Sequence, residues 1–222
     1  MKHNVLFSLT ALLSFLFLAG CLTNQKLDAY VAEQYGNRLP VPNKKNAQNL
    51  IVNSQLSKTS NAISVTTKKT SNVLPLIIYW HYEFRRTCHL NPEIPVTNFI
   101  NALNNASAKP LQQKLEGRKL ELTIEQAPVD FSHTEKGNTI ILASWYKLYI
   151  EPDFKDLIVS YKLTNAGSTQ KAGTIRVNNP MRNRGLRLFQ TWRSAISEYI
   201  TEYNLAMNTM TKSFVNELMK EM

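Results

Sequence analysis

The chain has 222 residues, of which 43% are hydrophobic and 9% aromatic, which is enough for a packed core and excludes an intrinsically disordered polypeptide. Lysine and arginine outnumber aspartate and glutamate by 26 to 16, so the net charge is +10. This excess favours anionic partners such as lipid head groups, anionic polysaccharide or an acidic protein surface, although a moderate positive charge also serves solubility alone.

The first 21 residues show the pattern of a secretory signal. Lys2 and His3 precede an apolar block of about 15 residues, shorter than the ~20 residues of a membrane-spanning helix. The block ends in Leu18-Ala19-Gly20-Cys21, where small residues are followed directly by a cysteine. This motif resembles the lipobox of bacterial lipoproteins. The resemblance implies cleavage before Cys21 and attachment of diacylglycerol and fatty acyl chains, such as palmitate, to that cysteine.

The resemblance also implies a location. Residues 1–20 would be a signal peptide, and the mature chain would be held by its acyl chains rather than by a spanning helix. Leu22 in place of aspartate implies delivery to the outer membrane, and residues 22–26 lack an acidic run, which favours a protein that faces the periplasm. An uncleaved anchor and an ordinary signal with a chance cysteine are the alternatives. Such a secreted protein would not meet nucleic acid, and acylation of Cys21 would leave Cys88 without a disulfide partner.

Residues 21–72 predict a lipid-anchored N-terminal segment and tether. Apolar residues at helical spacing between residues 24 and 35, followed by Gly36, predict one short helix. From Gly36 to about Asn72 the composition shifts to Asn, Ser, Thr and Lys. We therefore expect a tether there, or one or two loosely ordered strands over 50–52 and 63–67.

Residues 73–222 predict an α+β domain. Alternation of apolar and polar residues predicts strands over 74–89, 119–126, 139–151, 157–163 and 173–178, with a loop over 128–138. Residues 96–115 predict a helix that Pro110 could break, and apolar residues every 3.6 positions predict a long helix over 183–222. We expect an antiparallel sheet of four to six strands, with one face covered by these two helices.

A cluster of arginines is the strongest candidate binding site. Arg182, Arg184 and Arg187 lie at the start of the predicted C-terminal helix, and Arg193 follows them. The helix macrodipole disfavours cations at that end, so the cluster indicates a site that holds an anion with guanidinium groups and free backbone amides. The alternative is a solvated turn whose arginines pair with carboxylates of the sheet.

Other groups do not predict catalysis or a metal site. His81 and His89 would lie ~27 Å apart on one strand, too far to share a metal ion. Cys88 and His89 are adjacent in a strand and would point to opposite faces, so Cys88 is expected to be a buried thiol. His133 lies between two carboxylates in the predicted loop, but no nucleophile motif accompanies it. We therefore expect no enzyme and no cofactor.

Trp145 is a candidate contact residue, because it lies on the strand face opposite Tyr146 and beside Tyr149. An exposed Trp145 would indicate contact with a partner or ligand, whereas cover by the N-terminal segment would explain it equally.

The order of elements over 73–222 loosely resembles the auxiliary lipoproteins of envelope lipid-transport systems. That resemblance implies a non-catalytic binding or accessory role, with an envelope protein or an anionic glycolipid as partner. A periplasmic carrier of a lipid or small ligand is the alternative.

Overall fold

A computed structural model describes residues 22–43, 49–58, 60–76, 79–140 and 143–222. The predicted signal peptide and Cys21 lie outside these residues. The described part contains three helices: α1 (Asn24–Gln34), α2 (Glu93–Leu115) and α3 (Trp192–Glu221). Its nine strands are β1 (Leu50–Ser54), β2 (Ser64–Leu76), β3 (Tyr79–Leu90), β4 (Lys119–Gln126), β5 (Asp130–Ile140), β6 (Ala143–Pro152), β7 (Leu157–Asn165), β8 (Ser168–Val177) and β9 (Arg184–Gly185).

The fold is α+β, as predicted, but its strands form two sheets. The four-stranded sheet has the order β1-β4-β7-β8, and the five-stranded sheet has the order β2-β3-β5-β6-β9. All neighbours are antiparallel except β1 and β4, which are parallel. The expectation of a single antiparallel sheet was wrong because residues 127–129 lead the chain from β4 into a strand of the other sheet.

The two predicted helices cover the sheets as expected. α2 begins at Glu93, and Pro110 lies inside it without ending it. α2 and α3 pack against each other, with the rings of Phe99 and Phe214 5.5 Å apart. Buried apolar residues of β4 and β7 alternate with half-buried or exposed residues on the opposite face. Their apolar face therefore joins the common core.

α3 also ties the two sheets together. Tyr199 lies over Phe131 of β5, with a centroid distance of 4.5 Å. Tyr203 is fully buried, and its hydroxyl donates a 2.9 Å hydrogen bond to the carbonyl of Pro128, in the link between β4 and β5. Since a buried hydroxyl and carbonyl would each be costly without a partner, this bond fixes the helix over the junction of the sheets.

The five-stranded sheet is built from two long hairpins that differ from the predicted strands. The strand predicted over 74–89 is two antiparallel strands, because β2 ends at Leu76 and β3 begins at Tyr79. The strand predicted over 139–151 is likewise divided between β5 and β6, and the loop predicted over 128–138 is most of β5. The apolar alternation continues across both reversals, so no turn residue signals them.

The N-terminal residues belong to the folded core. Leu22 is buried, Thr23 caps α1 by accepting a hydrogen bond from the amide of Lys26, and Leu27 is fully buried. The side-chain amide of Asn24 donates to the carbonyl of Thr66 at 3.1 Å, which fixes α1 beside β2. Within the range predicted as a tether, β1 and most of β2 are strands of the two sheets.

Candidate functional site

The five-stranded sheet extends well beyond the helices that cover its other end. Cys88 and Phe131 are buried on the helix-facing side. Trp80, Tyr82 and Phe84 share that side by register, but they lie further along β3. From Cys88 to Trp80 the strand covers ~27 Å. The alternation of apolar and polar residues along 74–89 predicts that these three aromatic residues face the core. That prediction is wrong, because the sheet is longer than the helical cover.

The far end of this sheet carries exposed aromatic residues on adjacent strands. Trp80 is 45% exposed, Trp145 46% and Tyr146 68%. We call these three residues, together with Tyr82 and Phe84, the aromatic end. The described N-terminal residues therefore do not cover Trp145, and its contact with a partner or ligand stays a prediction. A large exposed apolar surface of this kind marks an interaction site in soluble proteins.

The aromatic residues of β3 form a fixed ladder. The ring of Tyr82 lies 5.5 Å from that of Trp80 and 5.2 Å from that of Phe84. Tyr82 also rests on the backbone of Gly137 in β5, where a Cβ atom would lie 2.2 Å from the ring. A side chain at residue 137 would therefore displace the ring of Tyr82. Partial burial raises the pKa of the Tyr82 hydroxyl, and the nearby Glu135 carboxylate raises it further.

A cleft of about 350 Å³ opens at the aromatic end, and we call it the aromatic cup. It is lined by Trp80, Tyr82, Phe84, Glu135, Asn138, Trp145 and Tyr146. Glu135 lies directly opposite Phe84 in the register of β3 and β5. Its carboxylate is partly buried and makes no hydrogen bond or ion pair within the described residues. By register, Trp145 lies on the opposite face of the sheet from Glu135, whereas Trp80, Tyr82, Phe84 and Tyr146 lie on the same face as Glu135. The cup therefore combines four aromatic side chains on one face with one unpaired negative charge.

A second cleft of about 760 Å³ adjoins the aromatic cup and shares Trp145 and Tyr146 with it. Its other wall is the loop that follows β9. Leu188 and Phe189 in this loop are 85% and 93% exposed. The backbone amide of Leu186 donates to the carbonyl of Leu148, so the loop begins against β6. The exposed apolar surface thus continues from the sheet onto this loop.

Glu198 of α3 holds the loop in place. Its carboxylate accepts hydrogen bonds from four side chains: Arg184, Arg187, Gln190 and Ser194. Charge-assisted bonds to a carboxylate are stronger than neutral ones. The loop that carries Leu188 and Phe189 is therefore attached to a rigid helix at several points.

The arginine cluster does not lie at the start of a helix. α3 begins at Trp192 with Thr191 as its cap, so the predicted start at residue 183 was wrong. Arg184 pairs with Glu198 and Glu202, and Arg187 pairs with Glu198 at 3.1 Å. These arginines are thus matched by carboxylates, as the alternative interpretation held, although the carboxylates belong to α3.

The other two arginines of the cluster lie apart from this network. Arg193 lies over the rings of Tyr30 and Trp192, at 5.7 and 5.4 Å. Arg182 is exposed and lines a cleft between residues 180–184 and α3. The structure therefore does not bring the four arginines together around one point.

The histidines and Cys88 are placed separately. Nδ1 of His89 lies 2.8 Å from the Asp130 carboxylate, and Nδ1 of His81 lies 2.7 Å from the Asn138 side-chain oxygen. His133 is buried, with no hydrogen-bond partner at either ring nitrogen. Burial raises the pKa of the Cys88 thiol to about 12. Among the described residues, no group of three metal-binding side chains converges.

Sequence reasoning missed Glu135 and the exposed Leu188 and Phe189. Glu135 falls within the loop predicted over 128–138, and Leu188 and Phe189 fall within the helix predicted over 183–222. No described helix is both long and apolar enough to cross a membrane. No model of a known protein family matches the chain, and no curated protein or solved structure matches it either.

Proposed function

We propose that this protein is a lipid-anchored, non-catalytic binding component of the bacterial cell envelope, and that it contacts its partner through the aromatic end. One observation carries the proposal: the end of the five-stranded sheet exposes aromatic residues on both faces, with Trp80 and Tyr146 on one face and Trp145 on the other. Aromatic side chains dominate the energy of binding interfaces because they bury a large area at low conformational cost.

In this proposal the protein is anchored to the outer membrane through Cys21 and faces the periplasm. The lipobox residues support it, and the net charge of +10 suits a surface of anionic head groups. Leu22 is already buried in the fold, so the acyl chains would leave directly from the folded domain. We therefore propose that the domain rests against the bilayer rather than at the end of a tether.

The aromatic end is distinct from this point of attachment. Asn24 fixes the N-terminal helix beside Thr66 of β2. From Thr66 to the end of β2 at Leu76 the strand spans ~34 Å. A partner bound at the aromatic end would therefore be held away from the anchor itself.

Site-specific photocrosslinking in the source bacterium tests the proposal. A photoreactive phenylalanine analogue replaces Trp145 in one variant and Phe154, 53% exposed in the turn after β6, in a matched control. We expect one recurring protein adduct in the envelope fraction from residue 145 and none from residue 154. Equal adducts from both variants would contradict a specific surface, and a lipid adduct from residue 145 would support the carrier alternative.

The anchor needs a separate test, since it depends on other residues. Labelling with radioactive palmitate should mark the wild-type protein and not Cys21→Ala. Membrane association should survive high salt in the wild type and be lost in the variant. Equal labelling of both proteins would refute lipidation at Cys21 without affecting the proposal for the aromatic end.

A further inference from the structure

The unpaired Glu135 distinguishes the aromatic cup from an ordinary apolar surface. The neighbouring carboxylates of the same sheet have cationic partners: Glu83 pairs with Lys136 at 3.1 Å, and Glu151 pairs with Arg85 at 2.8 Å. In a chain with net charge +10, a partly buried carboxylate without a partner is an exception. Removing a charge from water is unfavourable unless an opposite charge compensates it. The site therefore favours a ligand that brings a positive charge.

The ring faces beside Glu135 suit the same kind of charge. The face of an aromatic ring is negative and attracts cations. The ladder already shows this property, because the ammonium group of Lys68 lies 5.1 Å from the centre of the Phe84 ring. Trp80 and Tyr82 continue the ladder beyond that point. An ammonium group in the cup would thus contact several ring faces and one carboxylate.

The cup is also preformed. Tyr82 is held against Gly137, and its ring stacks with both neighbours on β3. The strands beneath it are paired along their whole described length. A rigid site needs little ordering when a ligand binds, which preserves affinity.

We propose that the aromatic cup binds an organic ammonium group, held between the ring faces of Trp80, Tyr82 and Tyr146 and the carboxylate of Glu135. This inference rests on the proposed binding function, since it uses the same end of the sheet. The group could belong to a free amine or to the head group of a zwitterionic phospholipid. A volume of about 350 Å³ accommodates a choline-sized group as well as smaller amines.

A matched pair of ligands tests the proposal on the full-length protein in a maltoside detergent. Choline is compared with 3,3-dimethyl-1-butanol, which has the same shape without the charge, and binding is followed by tryptophan fluorescence and calorimetry. We expect choline to bind at least about tenfold more tightly than the neutral alcohol. Equal affinity, or no binding of either compound, would overturn the proposal, and neither result depends on a variant that must fold.

Variants then locate the site. Glu135→Gln keeps the shape of the side chain and should lower choline affinity at least about tenfold, whereas Phe154→Ala, outside the cup, should leave it unchanged. Equal loss in both variants would place the site elsewhere and overturn the proposal. Thermal unfolding of each variant separates a lost contact from a lost fold.

Vesicles distinguish the two sources of the ammonium group. If a phospholipid head group is the ligand, phosphatidylcholine vesicles should bind wild type more tightly than Glu135→Gln, and free choline should compete. If only the free amine is recognised, choline binds and the vesicles show no dependence on Glu135.

A protein partner could still be captured by crosslinking at Trp145 when choline fails to bind, so failure of this inference would leave the proposed function standing.

Discussion

The environment of His133 predicts a stability that depends on pH. The side chain is 4% exposed and lies opposite Arg86 in the register of β5 and β3. Neither ring nitrogen has a hydrogen-bond partner among the described residues. Burial lowers the pKa of His133 from 6.5 to about 4, and the positive charge of Arg86 contributes to the shift. His133 is therefore neutral in the folded protein at neutral pH.

The sign of the effect follows from the two protonation states. Above pH 6.5 the imidazole is neutral in both the folded and the unfolded chain, so it adds no pH dependence to the free energy of unfolding. Below pH 6.5 the unfolded chain binds a proton that the folded chain does not, so the free energy of unfolding falls until about pH 4. At pH 5 the loss is about 2 kcal/mol, since one pH unit in this window corresponds to about 1.36 kcal/mol.

Urea denaturation at pH 7.5 and pH 5 measures this loss. Acidification should lower the free energy of unfolding of the wild type by about 2 kcal/mol more than that of His133→Leu, which cannot titrate. His81→Gln, on the solvent side of β3, is the matched control and should retain the His133-dependent loss. If wild type and His133→Leu lose the same free energy, the reasoning about His133 is wrong.

Three further predictions concern the core and the loop. Tyr203→Phe should lower the free energy of unfolding in urea by about 1–2 kcal/mol, because it leaves a buried carbonyl without a donor; an unchanged value would refute that bond. In native protein at pH 8, Cys88 should react with iodoacetamide on the order of a thousandfold more slowly than in urea, because its thiol is buried and scarcely ionised; rapid labelling of native protein would contradict this. Glu198→Ala should speed trypsin cleavage after Arg187, since the carboxylate that holds the loop is gone. Glu202→Ala removes only one partner of Arg184, so it should change the cleavage rate less. Equal cleavage rates in the two variants would refute the role of Glu198.

Much of the fold could be predicted because alternation reports which residues lie in strands. Alternation could not report where a strand reverses. The apolar run continues without a turn signal from Leu76 to Tyr79 at the first reversal, and from Ile140 to Ala143 at the second. Nor could it show β5, whose polar residues gain their partners only across the sheet. Lys136, for example, pairs with Glu83 on β3.

The candidate site was predicted only in part, for a related reason. Trp145 could be noted because one strand's alternation placed it opposite the expected core. Glu135 could not, since its neighbours in the aromatic cup come from β3, about 50 residues earlier in the sequence. The arginines were misplaced because the helix start depends on the cap at Thr191, while the preceding residues continue the same apolar period.

If the chain is cleaved and acylated at Cys21 as proposed, the burial of Leu22 constrains the order of those events. Enzymes that cleave and acylate a chain at Cys21 need several neighbouring residues in an extended, accessible form. In the folded protein Leu22 is packed into the core and Thr23 already caps α1. On the proposed pathway, processing therefore precedes docking of α1, and the last part of the domain to close would be the part nearest the membrane.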